Sequence, residues 1–189
     1  MTAVSDTSAE GFIESLHRKG RTPMNPVIKT SIYGAMALLL TVALAGTAAA
    51  KQEVPFHGSI QGVEIDVPHG GPPPTSLSVN GSGTGLATHL GRFTVTYEVT
   101  VDLSNGSGVG SLQFIAANGD KVFTTLVGQG TPTGTPGINL IVEVNTITGG
   151  TGRFANAKGT FTVERLVDLT TGFTSGSFNG TISSPGSAH

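Results

Sequence analysis

Apolar and polar residues alternate with a period of two through most of the chain after residue 51, interrupted at intervals by glycine. The clearest run is Arg92–Ser104, RFTVTYEVTVDLS. Phe93, Val95, Tyr97, Val99, Val101 and Leu103 share one parity; Thr94, Thr96, Glu98, Thr100 and Asp102 share the other. Successive side chains of an extended backbone point to opposite faces, so this alternation predicts a half-buried strand. Its β-branched and aromatic residues suit a pleated, partly covered surface. Beyond residue 51 no 3.6-residue apolar period lasts more than one or two turns.

Asn105-Gly106 closes this run and Asn118-Gly119 follows one strand later. Asn-Gly supplies the positive φ that tight hairpin turns need. The two turns bracket a strand near Gly110–Ala117, and the next runs near Lys121–Gln129. After the loop GQGTPTGTPG come strands at Ile138–Ile147, Thr160–Leu169 and Phe173–Ser183. Ahead of the clear run lie Val54–Val63 and Ser76–His89, split by GGPPPT. About eight strands at hairpin spacing predict a sandwich or a barrel. The expectation is an all-β fold, a closed eight-stranded antiparallel β-barrel, with a two-sheet β-sandwich as the alternative. Closure removes exposed edges, and glycines within strands (Gly58, Gly62, Gly81, Gly83, Gly176, Gly180) suit sharp coiling.

The first 50 residues follow another pattern. Residues 32–50, IYGAMALLLTVALAGTAAA, carry no charge, follow Arg18, Lys19, Arg21 and Lys29, and end in small residues. Basic, then apolar, then small is the order of a secretory signal, with cleavage near Ala50. The alternative is a retained single N-terminal membrane anchor, since the run is nearly long enough to span a bilayer. Met24 is an alternative start that would leave a signal peptide of ordinary length. The expected organisation is a leader and signal peptide over 1–50 and one barrel domain over 51–189, placed outside the cell or in the periplasm.

Residues 51–189 hold six Lys and Arg against nine Asp and Glu, a net charge of about −3 with His neutral, and no basic run. Nucleic-acid and anionic-membrane surfaces need clustered cations, so neither partner is expected once the signal is cleaved; a homo-oligomer stays open. With no cysteine in the chain, disulfides, thiolate metal sites and Cys nucleophiles are excluded.

One segment carries a nucleotide-like signature: GGTGRFANAKG, Gly149–Gly159, contains G-x-G-x-x-A. A dinucleotide loop needs a helix directly after the glycines. Only Arg153–Lys158 separates them from Gly159, room for one helical turn, and alternation resumes at Phe161 and Val163. The segment therefore reads as a connection between antiparallel strands, with Gly149, Gly150, Gly152, Phe154 and Gly159 as its structural motif and Phe154 plugging one end of the core. GGTGRFANAKGTFTVE resembles the GGTG-x-F-x-x-A-x-G segment of dirigent proteins, and GTGLATHLGRFTVTYEV is similar to a second segment of bacterial secreted proteins with the allene oxide cyclase/dirigent-type barrel. The resemblance spans most of residues 52–185. It implies an eight-stranded antiparallel barrel that works by shaping an apolar cavity, as in radical coupling or cyclisation, and it carries no catalytic residue across.

His57, His69, His89 and His189 have no metal-ligand spacing on one element, so no metal site is expected; hydrogen-bonding histidines at the rim or in solvent are. The G-x-S-x-G nucleophile elbow is missing. Asn80, Asn105 and Asn179 each begin an Asn-Gly-Ser/Thr glycosylation pattern, which Asn-Gly turns explain more simply. Arg165 shares its parity with Phe161, Val163, Val167 and Leu169. Facing inward, it needs a carboxylate or an anionic or carbonyl-bearing ligand, because an unpaired buried charge costs several kcal/mol. Glu143, on the preceding strand, is a partner, and Tyr97 can offer a phenol to the lumen. The alternative puts Arg165 at a rim, snorkelling to water, with Glu143 and Glu98 outward. Tyr97, Arg165 and Glu143 are the expected ligand-binding residues; no cofactor is implied. The expected function is a secreted, non-catalytic binder of a small apolar ligand or a surface scaffold. The alternatives are a cofactor-free cyclase or isomerase acting in the lumen, and a structural barrel with a filled core.

Overall fold

The computed structural model describes residues 52–183. The expected leader, the cleavage site near Ala50 and His189 lie outside the described residues. Eight strands follow in order: β1 (Glu53–His69), β2 (Ser76–Ala87), β3 (Gly91–Asp102), β4 (Ser107–Ala116), β5 (Lys121–Pro132), β6 (Ile138–Gly150), β7 (Gly159–Asp168) and β8 (Phe173–Ser183). Each pairs antiparallel with the next, and β8 pairs back onto β1 from Glu53↔Ser183 to Val63↔Phe173. That last ladder closes the barrel and excludes the sandwich. Asn105-Gly106 and Asn118-Gly119 form the expected turns, with positive φ at both glycines.

The inner parity of β3 is the one read from the sequence: Phe93, Val95, Tyr97 and Val99 are buried. Strand β1 departs from expectation. It continues past Val63 to His69, and in its last third the alternation is inverted: Glu64 is part-buried while Ile65 and Val67 are exposed. Charge faces inward there because the lumen supplies it with partners.

The lumen is divided in two. Near the starts of β1, β3, β5 and β7 it is filled by Phe56, Phe93, Phe114, Phe161 and Phe178, whose ring centroids lie 5.1–6.4 Å apart, mostly edge-to-face. Such pairs add about 0.5–1.5 kcal/mol beyond the area they bury. The glycine motif closes this end. A single 3₁₀ turn, Gly152–Phe154, joins β6 to β7 and sets Phe154 fully buried in the core cluster, to which Leu90 and Ala157 also belong. Gly152 has φ 55°, and a Cβ there would overlap the Asp120 carboxylate, so glycine is favoured on both counts. Thr151 Oγ1 accepts from the Lys121 amide at 2.9 Å, fastening the turn to β5. The motif is a strand connection and a plug.

Candidate functional site

The other end of the lumen is polar. Arg165 on β7 points inward and is 5% exposed. Its Nε and Nη2 donate to the two oxygens of Glu143 at 3.3 and 3.1 Å, a bidentate pair across the β6–β7 ladder. Nη1 donates to Glu64 Oε2 at 2.7 Å and to Thr174 Oγ1 at 3.0 Å. The Thr174 hydroxyl in turn donates to the Leu166 carbonyl at 3.0 Å. The guanidinium carbon sits 5.1 Å from the centre of the Tyr97 ring, and the Tyr97 O–H donates to Glu64 Oε2 at 2.8 Å. Thus the structure brings Tyr97, Arg165 and Glu143 together, with Glu64 completing the cluster. The rim arrangement, with Arg165 snorkelling and Glu143 outward, is not what the fold adopts; Glu98 alone of those residues faces out.

Burial works against the Arg165 charge, but Glu143 and Glu64 outweigh it and hold the guanidinium above its ordinary value. Burial pushes the Tyr97 phenol far above the usual tyrosine range, and Glu64 adds to that. Among the described residues no buried side-chain nitrogen or oxygen lacks a partner. Four hydrogen bonds tie Arg165 within the protein, so of the two needs read from the sequence, a carboxylate or a ligand, Glu143 and Glu64 supply the carboxylate.

Glycines make room for this cluster. Gly81 lies between Glu64 and Tyr97 in the β1–β2–β3 register. A Cβ on it would overlap the Tyr97 ring, so only glycine lets the phenol reach Glu64. Gly128 and Gly176, paired with Glu143 and Arg165, give similar clearance.

Above the cluster a cavity of about 140 Å3 opens at the end of the barrel. Its walls are Leu77, Val79, Val99, Val101, Leu126 and Val167; Glu64, Glu143 and Arg165 form its floor, and Asp66 lines it on the β1 side. Burial, reinforced by Glu64, raises the Asp66 carboxyl above the ordinary aspartate value. Leu103 and Leu169 stand on the rim, each half-exposed, in two turns of the same form. In each turn an aspartate at the strand end (Asp102, Asp168) accepts backbone amides, Ser104 N and Thr170 N, both at 2.8 Å. Each ends in a positive-φ glycine whose amide returns to the aspartate carbonyl. Two broader depressions, about 930 and 740 Å3, run along the outer wall over outward-facing residues such as Gln61, Thr84, Ser82 and Gln113. They hold no comparable buried charge, so the smaller inner cavity is the candidate site.

The sequence reading missed Glu64, Asp66 and Thr174. Glu64 and Asp66 alternate with Ile65 and Val67, and such a pattern ordinarily turns the carboxylates outward. The rim turns had a signal, V-D-L-x-x-G at Val101–Gly106 and again at Val167–Gly172. The histidines stay apart: His89 bonds the Pro55 carbonyl at 3.1 Å and His69 bonds Ser78 Oγ at 2.8 Å. Asn80 and Asn179 sit within strands, facing out, so the turn explanation of their glycosylation patterns holds only for Asn105.

A comparison with solved structures matches the structure of a pterocarpan synthase dirigent protein, with a TM-score of 0.51 and 16% identity, over 74% of this chain and 94% of that one. The chain has a dirigent-like barrel fold. At that identity the likeness concerns fold alone. No protein-family model and no curated protein matches the sequence. In the dirigent-like barrel described here, the resemblance read from GGTGRFANAKG thus stands at the level of the fold, and that segment is where β6 turns into β7.

Proposed function

We propose that this dirigent-like barrel is a secreted or periplasmic, non-catalytic binder of a small apolar ligand. The observation that carries the reading is the 140 Å3 cavity at one end of a lumen whose other end is packed shut. An apolar cavity of about 150 Å3 takes a molecule the size of benzene, so the ligand, or the part of it that enters, is of that size. A few polar groups below apolar walls are the usual composition of a ligand pocket. The committed hydrogen bonds of Arg165 favour a binder over a cyclase, because a lumen enzyme of this kind would use a free guanidinium to polarise its substrate. The secreted location rests on the basic, apolar and small order of residues 18–50.

The test is a thermal-shift and calorimetric screen of small apolar molecules against the full chain and against Val101→Trp, which fills the cavity from β3. Saturable binding by the parent, lost in a folded Val101→Trp variant, supports the reading. Binding that Val101→Trp leaves intact places the ligand elsewhere and overturns it.

A further inference from the structure

We infer that the pocket selects a small organic cation, an ammonium group on an apolar body about the size of benzene, over neutral and anionic molecules of the same shape. The inference rests on the proposed binding function and adds the ligand's charge class. The first observation is the charge balance inside the cavity. Glu64, Asp66 and Glu143 line it against the single guanidinium of Arg165. That guanidinium is held by Glu143 and Glu64 at once, so it has little to offer an incoming anion. Asp66 lines the same cavity as the rim residues Leu103 and Leu169, is exposed, and makes no side-chain hydrogen bond among the described residues.

The second observation is the polarity of the whole barrel. Asp102 and Asp168 cap the strands at the pocket end, adding two carboxylates to the three within. Arg165 is the one Lys or Arg at that end among the described residues. Arg92, Lys121, Arg153 and Lys158 all lie at the opposite end, at the starts of β3 and β5 and in the β6–β7 connection, where Asp120 and Glu53 are the acidic residues. Fields from charges of one sign are focused in a low-dielectric cleft and concentrate counter-ions there. The walls are valine and leucine, and no group of metal-ligand side chains is found among the described residues; the cation that suits such a site carries its charge on an apolar frame.

The experiment titrates the full chain with benzylammonium, benzyl alcohol and benzoate by isothermal titration calorimetry at low ionic strength. The single charge of Asp66, which lies outside the Arg165 ion pairs, is worth about tenfold in affinity when it faces an ammonium at a partly solvated mouth. Benzylammonium is expected to bind about tenfold tighter than benzyl alcohol, and benzoate weaker than both. The ammonium-to-alcohol ratio is expected to fall about fivefold in Asp66→Asn, and to shrink with added salt as screening requires. Alcohol or benzoate binding as tightly as the ammonium overturns the charge selection while leaving the pocket reading in place. Ammonium binding whose preference survives Asp66→Asn also overturns it. If no probe binds, and the Val101→Trp screen is equally blank, the pocket reading falls and this inference falls with it.

Discussion

Replacing Arg165 with leucine removes the one cation from a cluster that buries two carboxylates. Arg165, Glu64 and Glu143 side chains are only 5–6% exposed, and the ion pairs measure 2.7 and 3.1 Å. At an effective dielectric of about 20, each contact is worth about 5 kcal/mol in gross attraction, most of it offset by the cost of desolvating the charges. Removing one member does not refund that desolvation: Glu143 keeps no side-chain partner, Glu64 keeps only the Tyr97 phenol, and Thr174 loses the donor on its hydroxyl. Stranded buried charge costs about 3–5 kcal/mol. For a domain of this size that is a fall in Tm of about 10–20 °C. Arg165→Leu combined with Glu143→Leu replaces the pair by apolar groups and is expected to recover about 1 kcal/mol or more of the loss, since such replacements are often neutral or better. Urea denaturation of the parent, both single variants and the double variant gives the coupling energy directly. An Arg165→Leu single variant as stable as the parent would refute the reasoning, because it would mean that the carboxylates reach water without help.

Gly81→Ala places a methyl group against the Tyr97 ring; it is expected to cost about 1–3 kcal/mol, seen as a lower urea midpoint together with a changed tyrosine near-UV circular dichroism signal. Phe154→Ala opens the plugged end and is expected to cost about 3–5 kcal/mol, measured in the same way. The Asp102 and Asp168 carboxyls are held below the ordinary value of 3.8 by hydrogen bonds, from Ser104 to Asp102 and from Thr170 and Thr171 to Asp168. Their stabilisation is present above that value and is lost as pH falls through their depressed folded values, so an Asp102→Asn, Asp168→Asn double variant should show a shallower loss of stability on acidification. Asp66 runs the other way: its folded value is raised above 3.8, so its cost to stability is present at neutral pH, begins to lift as pH falls to the raised value and is gone below 3.8.

The fold was legible because alternation and Asn-Gly turns act locally. Phe93–Val101 and the two turns around β4 specify strands with no knowledge of their neighbours. The glycine motif was legible for the same reason, since no helix fits between Gly152 and Gly159. The site was legible only in part. Parity grouped Arg165 and Tyr97 with the apolar residues of their strands and Glu143 with Ile141 and Ile147, but whether those faces met the core depended on partners supplied by β1. Glu64 lies 101 residues from Arg165 in sequence and next to it in space, brought there by the β8–β1 closure. Its local pattern pointed outward, because Ile65 and Val67 look like the buried face of a strand. Burial of Glu64 is thus a consequence of pairing across the closed barrel, and a local reading has no term for it. The division of the lumen into plug and pocket was hidden likewise: inward-facing phenylalanine occupies one end of five strands, which becomes visible only when the strands are set in register.

The claim on which the account turns is that one end of this barrel is a packed plug and the other a receptive pocket. Methyl NMR of the full chain during titration with benzylammonium tests it, with Val79, Val99, Val101, Leu126 and Val167 reporting on the pocket and Val95, Val122 and Ile182 on the packed part of the lumen. The account predicts saturable shifts that are largest for the first set and small for the second. Shifts spread evenly over both sets, or concentrated on the outer-wall methyls of Leu86 and Val127, would contradict it.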